Sequence, residues 1–297
     1  MSTWRWGVVA ERFIGFENYR RIFQEEIMRT TATGWQLGEV GQSFVVTFTY
    51  AFWVVPLAIG LALVLAVVLF SKLPARGLFR TVYFLPFVTS QIAAAVVFRW
   101  IFHPQVGLAN SFLSAVGLPP QQWFFDTQPL FVKFLDFIGL AWPAGVPTAL
   151  AGPTWALAII ILFGVWSSIG FNVVILLAGM TSIPADLYEV SRLDGMPWWA
   201  TLRRVTVPLL SPTLLFLLII SVINAFLSFN AFYILSGGQG GPVGSTLSLP
   251  LYIFNNFYAR ANETGYAAAL SVLLTIFLLT LSLVQLRLAR RRVHYQG

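Results

Sequence analysis

The sequence predicts an all-α membrane protein, a polytopic bundle of five helical spans. Three observations predict it. The chain is 58% hydrophobic and only 10% charged, where soluble domains hold roughly 45–50% apolar and about 25% charged residues. Five stretches stay apolar over the ~20 residues that a bilayer crossing needs. The Lys and Arg residues crowd into alternate loops between those stretches, as orientation in a membrane requires.

Residues 1–43 hold five Arg and five Glu, so their charge favours neither side. Within them "GFENYRRIFQEEIM" has the period of an amphipathic helix, with Phe16, Tyr19, Phe23 and Ile27 on one face. It is too polar to span and suits the interface. "MSTWRWGVVAERF" has no apolar core of the signal-peptide kind.

The transmembrane domain is expected over 44–290. Its spans are about 44–70, 81–102, 154–181, 209–235 and 266–288. Pro56, Pro86 and Pro212 fall within or near the starts of spans, where neighbouring helices can resatisfy the backbone. The loop 71–80 carries Lys72, Arg76 and Arg80; the segment 184–208 carries Arg192, Arg203 and Arg204; the C-terminal end carries Arg287, Arg290, Arg291 and Arg292. The alternate loops, 103–153 and 236–265, carry one each, Lys133 and Arg260. The bias of ten against two puts the first group, and the tail 291–297, in the cytoplasm. Five spans then leave residues 1–43 outside. The loop 103–153 is long enough to hold substructure. Its "PLFVKFLDFIGLAW" reads as a short interfacial or capping helix.

Composition also excludes functions. Net charge is +7 and the pI is about 10.1, but the basic residues sit beside apolar spans, so no nucleic-acid surface is implied. There is no cysteine, and the histidines are His103 and His294. A thiol nucleophile and a Cys- or His-built metal site are therefore not available. No cofactor is expected. Neither Lys72 nor Lys133 follows a glycine as a phosphate-binding loop demands. No Asp or Glu lies within a span, which argues against an ion-coupled secondary transporter and an intramembrane acid–base enzyme.

The segment 184–208 stands out. Pro184 and Asp186 suit the start of a helix, and Gly195 suits its end. Pro197 starts a second arm, "PWWATLRRV", and Pro208 precedes the next span. The result is a helix–turn–helix elbow, with Glu189 and Asp194 on one arm and Arg203 and Arg204 on the other. Arms this short need a surface to pack on. Leu187, Tyr188, Leu193, Trp198 and Trp199 offer one, either to lipid headgroups or to a protein.

Within the spans, Gly164, Ser168 and Asn172 recur every four residues. Asn224 and Ser228 form a second pair, and Phe226, Asn230 and Tyr233 a neighbouring stripe. Polar residues in a span face the bundle interior. They suit a lined pathway, or helix–helix contacts worth about 0.6 kcal/mol each.

"YEVSRLDGMPWWATLRRVTVPLLSP" resembles the EAA loop of permease subunits of bacterial binding-protein-dependent ABC importers. The match falls on Glu189, Asp194, Gly195, Val205, Val207 and Pro208; Val190-Ser191 replace the usual pair of alanines, and Leu202 the usual aromatic. "FNAFYILSGGQGGP", "RFIGFENYRRIF" and "RTVYFLPFVTSQIAAAVVFRWIFHPQVGLAN" are similar to other blocks of the carbohydrate-type members. Residues 120–152 have no counterpart. The resemblance implies a permease of the bacterial cytoplasmic membrane forming half of a translocation pathway. It implies a second permease subunit, two ATPase subunits that use the ATP, and an extracytoplasmic solute-binding protein. The elbow would enter the ATPase, with Glu189, Asp194, Gly195, Arg203, Arg204 and Pro208 in the joint. In maltose-type permeases, positions matching Gly164, Ser168, Phe229 and Asn230 line the substrate cavity. The substrate implied is a sugar, with glycerol phosphate or another small solute as the alternative. The family usually has six spans, the first lying before "GFENY", so the resemblance implies a further span upstream.

Overall fold

The computed structural model describes residues 14–31, 34–70, 76–143, 146, 151–258 and 264–289. The sequence-predicted charges Lys72, Arg260 and Arg290 to Arg292 lie outside those residues, as does residues 1–13.

Three described helices are long and apolar enough to cross a membrane: α2 (Glu39–Phe70), α7 (Trp155–Thr181) and α14 (Thr264–Ala289). The second predicted span is not one helix. It is α3 (Arg76–Val88) and α4 (Gln91–Ile101), bent by 101° at a break over Thr89 and Ser90. The fourth also departs from one rod. Its helix α11 (Ser211–Phe226) ends at Leu227, and α12 (Asn230–Leu235) restarts after Ser228 and Phe229. Counting α3 with α4 as one span, and α11 with the helical segment Trp198–Leu209 that precedes it as another, gives up to five among the described residues.

The bundle is held by α2 against α7. Ala58, Ala62 and Ala66 of α2 are 0–3% exposed, and their spacing of four places them on one face. Small residues let two backbones approach in lipid, where no hydrophobic force pulls helices together. Ala62, Ala66 and Leu69 pack in one core with Val173, Leu176 and Met180 of α7 and with Leu210 and Leu217. Polar residues pin α2 to α13 (Leu249–Tyr258). The buried Thr47 hydroxyl donates to the Ser43 carbonyl and accepts from the backbone N–H of Leu249 at 2.8 Å.

The N-terminal segment differs from its prediction. Helix α1 (Glu17–Arg21) gives way to a π-helical turn over Ile22–Glu26, then to a hairpin of β1 (Met28–Thr31) and β2 (Gly34–Leu37), paired antiparallel with Met28 opposite Leu37. The π turn shifts the phase of the stripe. Ile22, at 1% exposed, enters a core with Tyr266 and Leu270, while Phe16 and Phe23 are 82% and 61% exposed. Helix α2 starts at Glu39, ahead of the predicted 44.

The described part of the loop 103–153 is structured. It holds α5 (Leu108–Ala115), a 3₁₀ turn over Trp123–Phe125, and α6 (Leu130–Phe137), the predicted short helix. Buried Asn110 organises it. Its Nδ2 donates to the carbonyls of Pro104 (2.7 Å) and Gln121 (2.9 Å); its Oδ1 accepts from the Gln121 N–H and the Trp123 Nε1, both at 2.9 Å. With every hydrogen-bonding site filled, burial of this amide carries no desolvation penalty. Trp123 stacks on Trp155 at the start of α7, with ring centroids 6.0 Å apart.

Candidate functional site

A cavity of about 360 Å³ opens between α2, α7 and α11. Both broken helices meet it. Phe87 and Gln91 flank the break between α3 and α4, and Leu227, Ser228 and Phe229 form the one between α11 and α12; all five line the cavity. Non-helical backbone at membrane depth is tolerated where it borders such a space, because water or ligand can meet the freed peptide groups.

Seven of the eight predicted pathway residues line it: Gly164, Ser168, Asn172, Asn224, Ser228, Phe229 and Asn230. Tyr233 does not. It is 41% exposed, with its ring stacked on Phe229 at 5.3 Å and edge-on to Phe254 at 5.5 Å. Its predicted stripe with Phe226 and Asn230 crosses the break at 227–229, which resets helical phase. Phe226 is accordingly buried in the core at 2% exposed. The prediction missed Tyr50, Ser167 and Ser221, with the aromatic rings of Phe87, Phe163 and Phe171. Ser167 adjoins the first stripe and Ser221 extends the Asn224–Ser228 pair by one turn, so both lay within the helical period; the apolar rings carried no polar signal.

The polar atoms are unevenly committed. The Ser167 and Ser168 hydroxyls donate to the Gly164 carbonyl at 3.1 and 2.8 Å. Their protons are used, and their oxygens remain acceptors. Tyr50 and Ser228 add two further hydroxyls to the lining. Asn172 is 1% exposed, yet its Nδ2 has no partner among the described residues. A buried, unpaired donor costs about 1–3 kcal/mol, so this one is poised for a ligand or water. Gly164 has a packing role as well. A Cβ there would strike the Tyr50 hydroxyl and come within 2.9 Å of Val54. Among the described residues, no Asp, Glu, Lys or Arg lines the cavity. Arg99 lies elsewhere, 3.2 Å from where a Gly237 Cβ would sit.

The elbow forms the second region. Helix α8 (Ala185–Leu193) ends in a Schellman turn: Met196 N–H donates to Ser191 O and Gly195 N–H to Arg192 O, both at 3.0 Å. Gly195 has φ +67° with open space around it, so its backbone conformation, not crowding, demands glycine. The second arm runs from α9 (Trp198–Thr201) through a π-helical turn, Leu202–Thr206, and α10 (Val207–Leu209). It meets α11 at 71°.

Glu189, Asp194, Arg203 and Arg204 are exposed, and none forms an ion pair among the described residues. Pro208 is half-buried at the base of the second arm. Leu193, Trp198 and Trp199 are 87%, 73% and 56% exposed. Tyr188 belongs to the inner side instead, with its ring 5.6 Å from Phe70. Ser191 also turns inward, 2% exposed, while Val190 faces out. The two departures from the alanine pair thus have opposite surroundings.

Comparison with known proteins bears on both regions. The family model for the binding-protein-dependent transport system inner membrane component matches residues 31–294. The lactose transport system permease protein LacF of Rhizobium radiobacter is 34% identical over 241 residues, covering 80% of this chain and 72% of LacF. The trehalose/maltose transport system permease protein MalF of Thermococcus litoralis is 30% identical over 280 residues, covering 94% and 81%. A bacterial alginate ABC transporter, solved in complex with an alginate pentasaccharide-bound periplasmic protein, has the same fold at TM-score 0.71 and 22% identity, over 95% of this chain and 85% of that one. A span-rich bundle, broken helices around a polar cavity and a match across nearly all of the chain converge: this protein is a multi-pass membrane protein of the binding-protein-dependent transport system inner membrane component family.

Proposed function

We propose that the chain is a permease subunit of an ATP-driven sugar importer and that its cavity carries a neutral, hydroxyl-rich substrate. The observation that carries this reading is the cavity lining. Serine oxygens offer acceptors, Asn172 offers an unused donor, and four phenylalanine rings supply apolar faces for sugar C–H groups. A phosphate would leave its charge without a counter-ion there, at high desolvation cost. The names of LacF and MalF, which transport sugars, support the same class.

The remaining parts follow. A solute-binding protein delivers the substrate, as the alginate complex illustrates for its own system. A second permease subunit completes the pathway. Of the two ATPase subunits, one docks on this elbow through Leu193, Trp198 and Trp199, with Glu189 meeting a basic group. The elbow and the C-terminal end face the cytoplasm, and the loop 103–153 faces out, by the distribution of Lys and Arg.

The test is uptake of neutral mono- to trisaccharides by vesicles holding the assembled importer. Asn172→Leu is expected to lower uptake about tenfold, the value of one lost hydrogen bond near the top of its range. Unchanged sugar uptake in that variant, or sn-glycerol 3-phosphate uptake in the parent without sugar uptake, would overturn the reading.

A further inference from the structure

Helix α6 turns its apolar side out and its lysine in. At 3.6 residues per turn, Phe131, Phe134 and Ile138 fall on one stripe with Phe137 beside it. Phe134, Phe137 and Ile138 are 60%, 70% and 50% exposed. Lys133 points the other way. Its ammonium pairs with the Asp126 carboxylate and lies 4.9 Å from the centre of the Trp155 ring. A helix on a water-facing surface does the reverse, with its apolar stripe toward the core.

The surroundings say what covers this face. Phe131 lies 5.9 Å from Trp53 of α2, which lies 5.8 Å from Phe52. Phe52 and Phe48 are 62% and 51% exposed on the flank of that span. The apolar surface therefore runs without interruption from the side of a membrane helix onto α6. Indole rings favour the boundary between acyl chains and headgroups, and Trp53, Trp123 and Trp155 gather here. The Lys133–Asp126 pair cancels its own charge, and Asp136 sits opposite the stripe. A soluble partner would find no charge to complement on it.

We propose that α6 is an in-plane anchor, with Phe131, Phe134 and Ile138 immersed in the phospholipid acyl boundary of the outer leaflet. The leaflet rests on the outward placement of the loop 103–153; contact with lipid does not. The anchor fixes the loop against the membrane, and through the stacked Trp123 and Trp155 it holds the start of α7, the helix that carries Gly164, Ser168 and Asn172.

The chain has no cysteine, so single cysteines can be placed without background. Phe134→Cys, Ile138→Cys, Asp136→Cys and Thr127→Cys, each in the full chain, would carry a nitroxide label in phosphatidylcholine–phosphatidylglycerol vesicles. The ratio of oxygen to nickel-chelate collision is expected to be several-fold higher at 134 and 138 than at 136 and 127. Equal nickel access at all four positions would overturn the anchor in favour of water. Immobile spectra with low collision by both reagents at 134 and 138 would overturn it in favour of a protein partner. If the phenylalanine or the isoleucine substitution blocks insertion, Phe137→Cys, beside the stripe and 70% exposed, gives the same reading. An impermeant maleimide on intact cells tests the side separately through Thr127→Cys: labelling is expected, and labelling only after permeabilisation would refute the outer leaflet while leaving the vesicle result intact.

Discussion

Gly195 and Gly164 are constrained by opposite means. Around Gly195 there is room for a side chain, but φ is +67°, and an L-residue there costs about 1–2 kcal/mol. Gly195→Pro goes further, because it removes the N–H that bonds Arg192. Combined with Glu189→Ala, it is expected to give a membrane-inserted permease whose importer has lost substrate-stimulated ATPase activity. Normal stimulation in that variant would separate the elbow from coupling. At Gly164 the limit is space, since the Tyr50 hydroxyl occupies the position of a Cβ. Gly164→Leu is expected to part α2 from α7, lowering both the thermal midpoint in detergent and transport; a transport loss with unchanged melting would argue for a ligand contact alone. The Gly164–Ser168–Asn172 stripe was legible because α7 is one uninterrupted helix. Tyr50 was missed although it follows Ser43 and Thr47 at helical spacing, because hydroxyls in a span also bond back to their own helix, as Thr47 does to the Ser43 carbonyl.

Continuous helices were legible from apolar length, and their interruptions were not. Thr89-Ser90 and Leu227-Ser228-Phe229 have a composition that a lipid-spanning helix also uses, so only the tertiary setting exposes the breaks. They matter for the site because both border the cavity. Replacing Ser228 and Phe229 with alanine favours an unbroken rod. That variant is expected to insert normally and to transport poorly, as measured by uptake per membrane-embedded protein; parental uptake would show that the interruption is dispensable. The hairpin at Met28–Leu37 was missed for another reason. The amphipathic period ahead of it invited a longer helix, and the π turn at Ile22–Glu26 ends that period early.

The bundle as a unit was the easiest part to read. Its spans, its charge asymmetry and the elbow's Schellman stop follow from residue types that bilayer physics restricts tightly. The orientation can be checked on the cysteine-free chain: Asp186→Cys is expected to react with an impermeant maleimide only in permeabilised cells, and reaction in intact cells would invert the topology. Across the 71° bend, the second arm of the elbow and the helix bearing Ser221 and Asn224 would, if they turn as one body, act as a crank pivoting at Leu210, which is fully buried at 0% exposure. Asn224 stands fourteen residues along the inner throw, roughly 21 Å from the pivot at 1.5 Å per residue. Each degree of rotation therefore sweeps the cavity wall by roughly 0.4 Å. In the importer proposed above, a stroke of a few degrees at the elbow would be enough to make or break a hydrogen bond to the substrate.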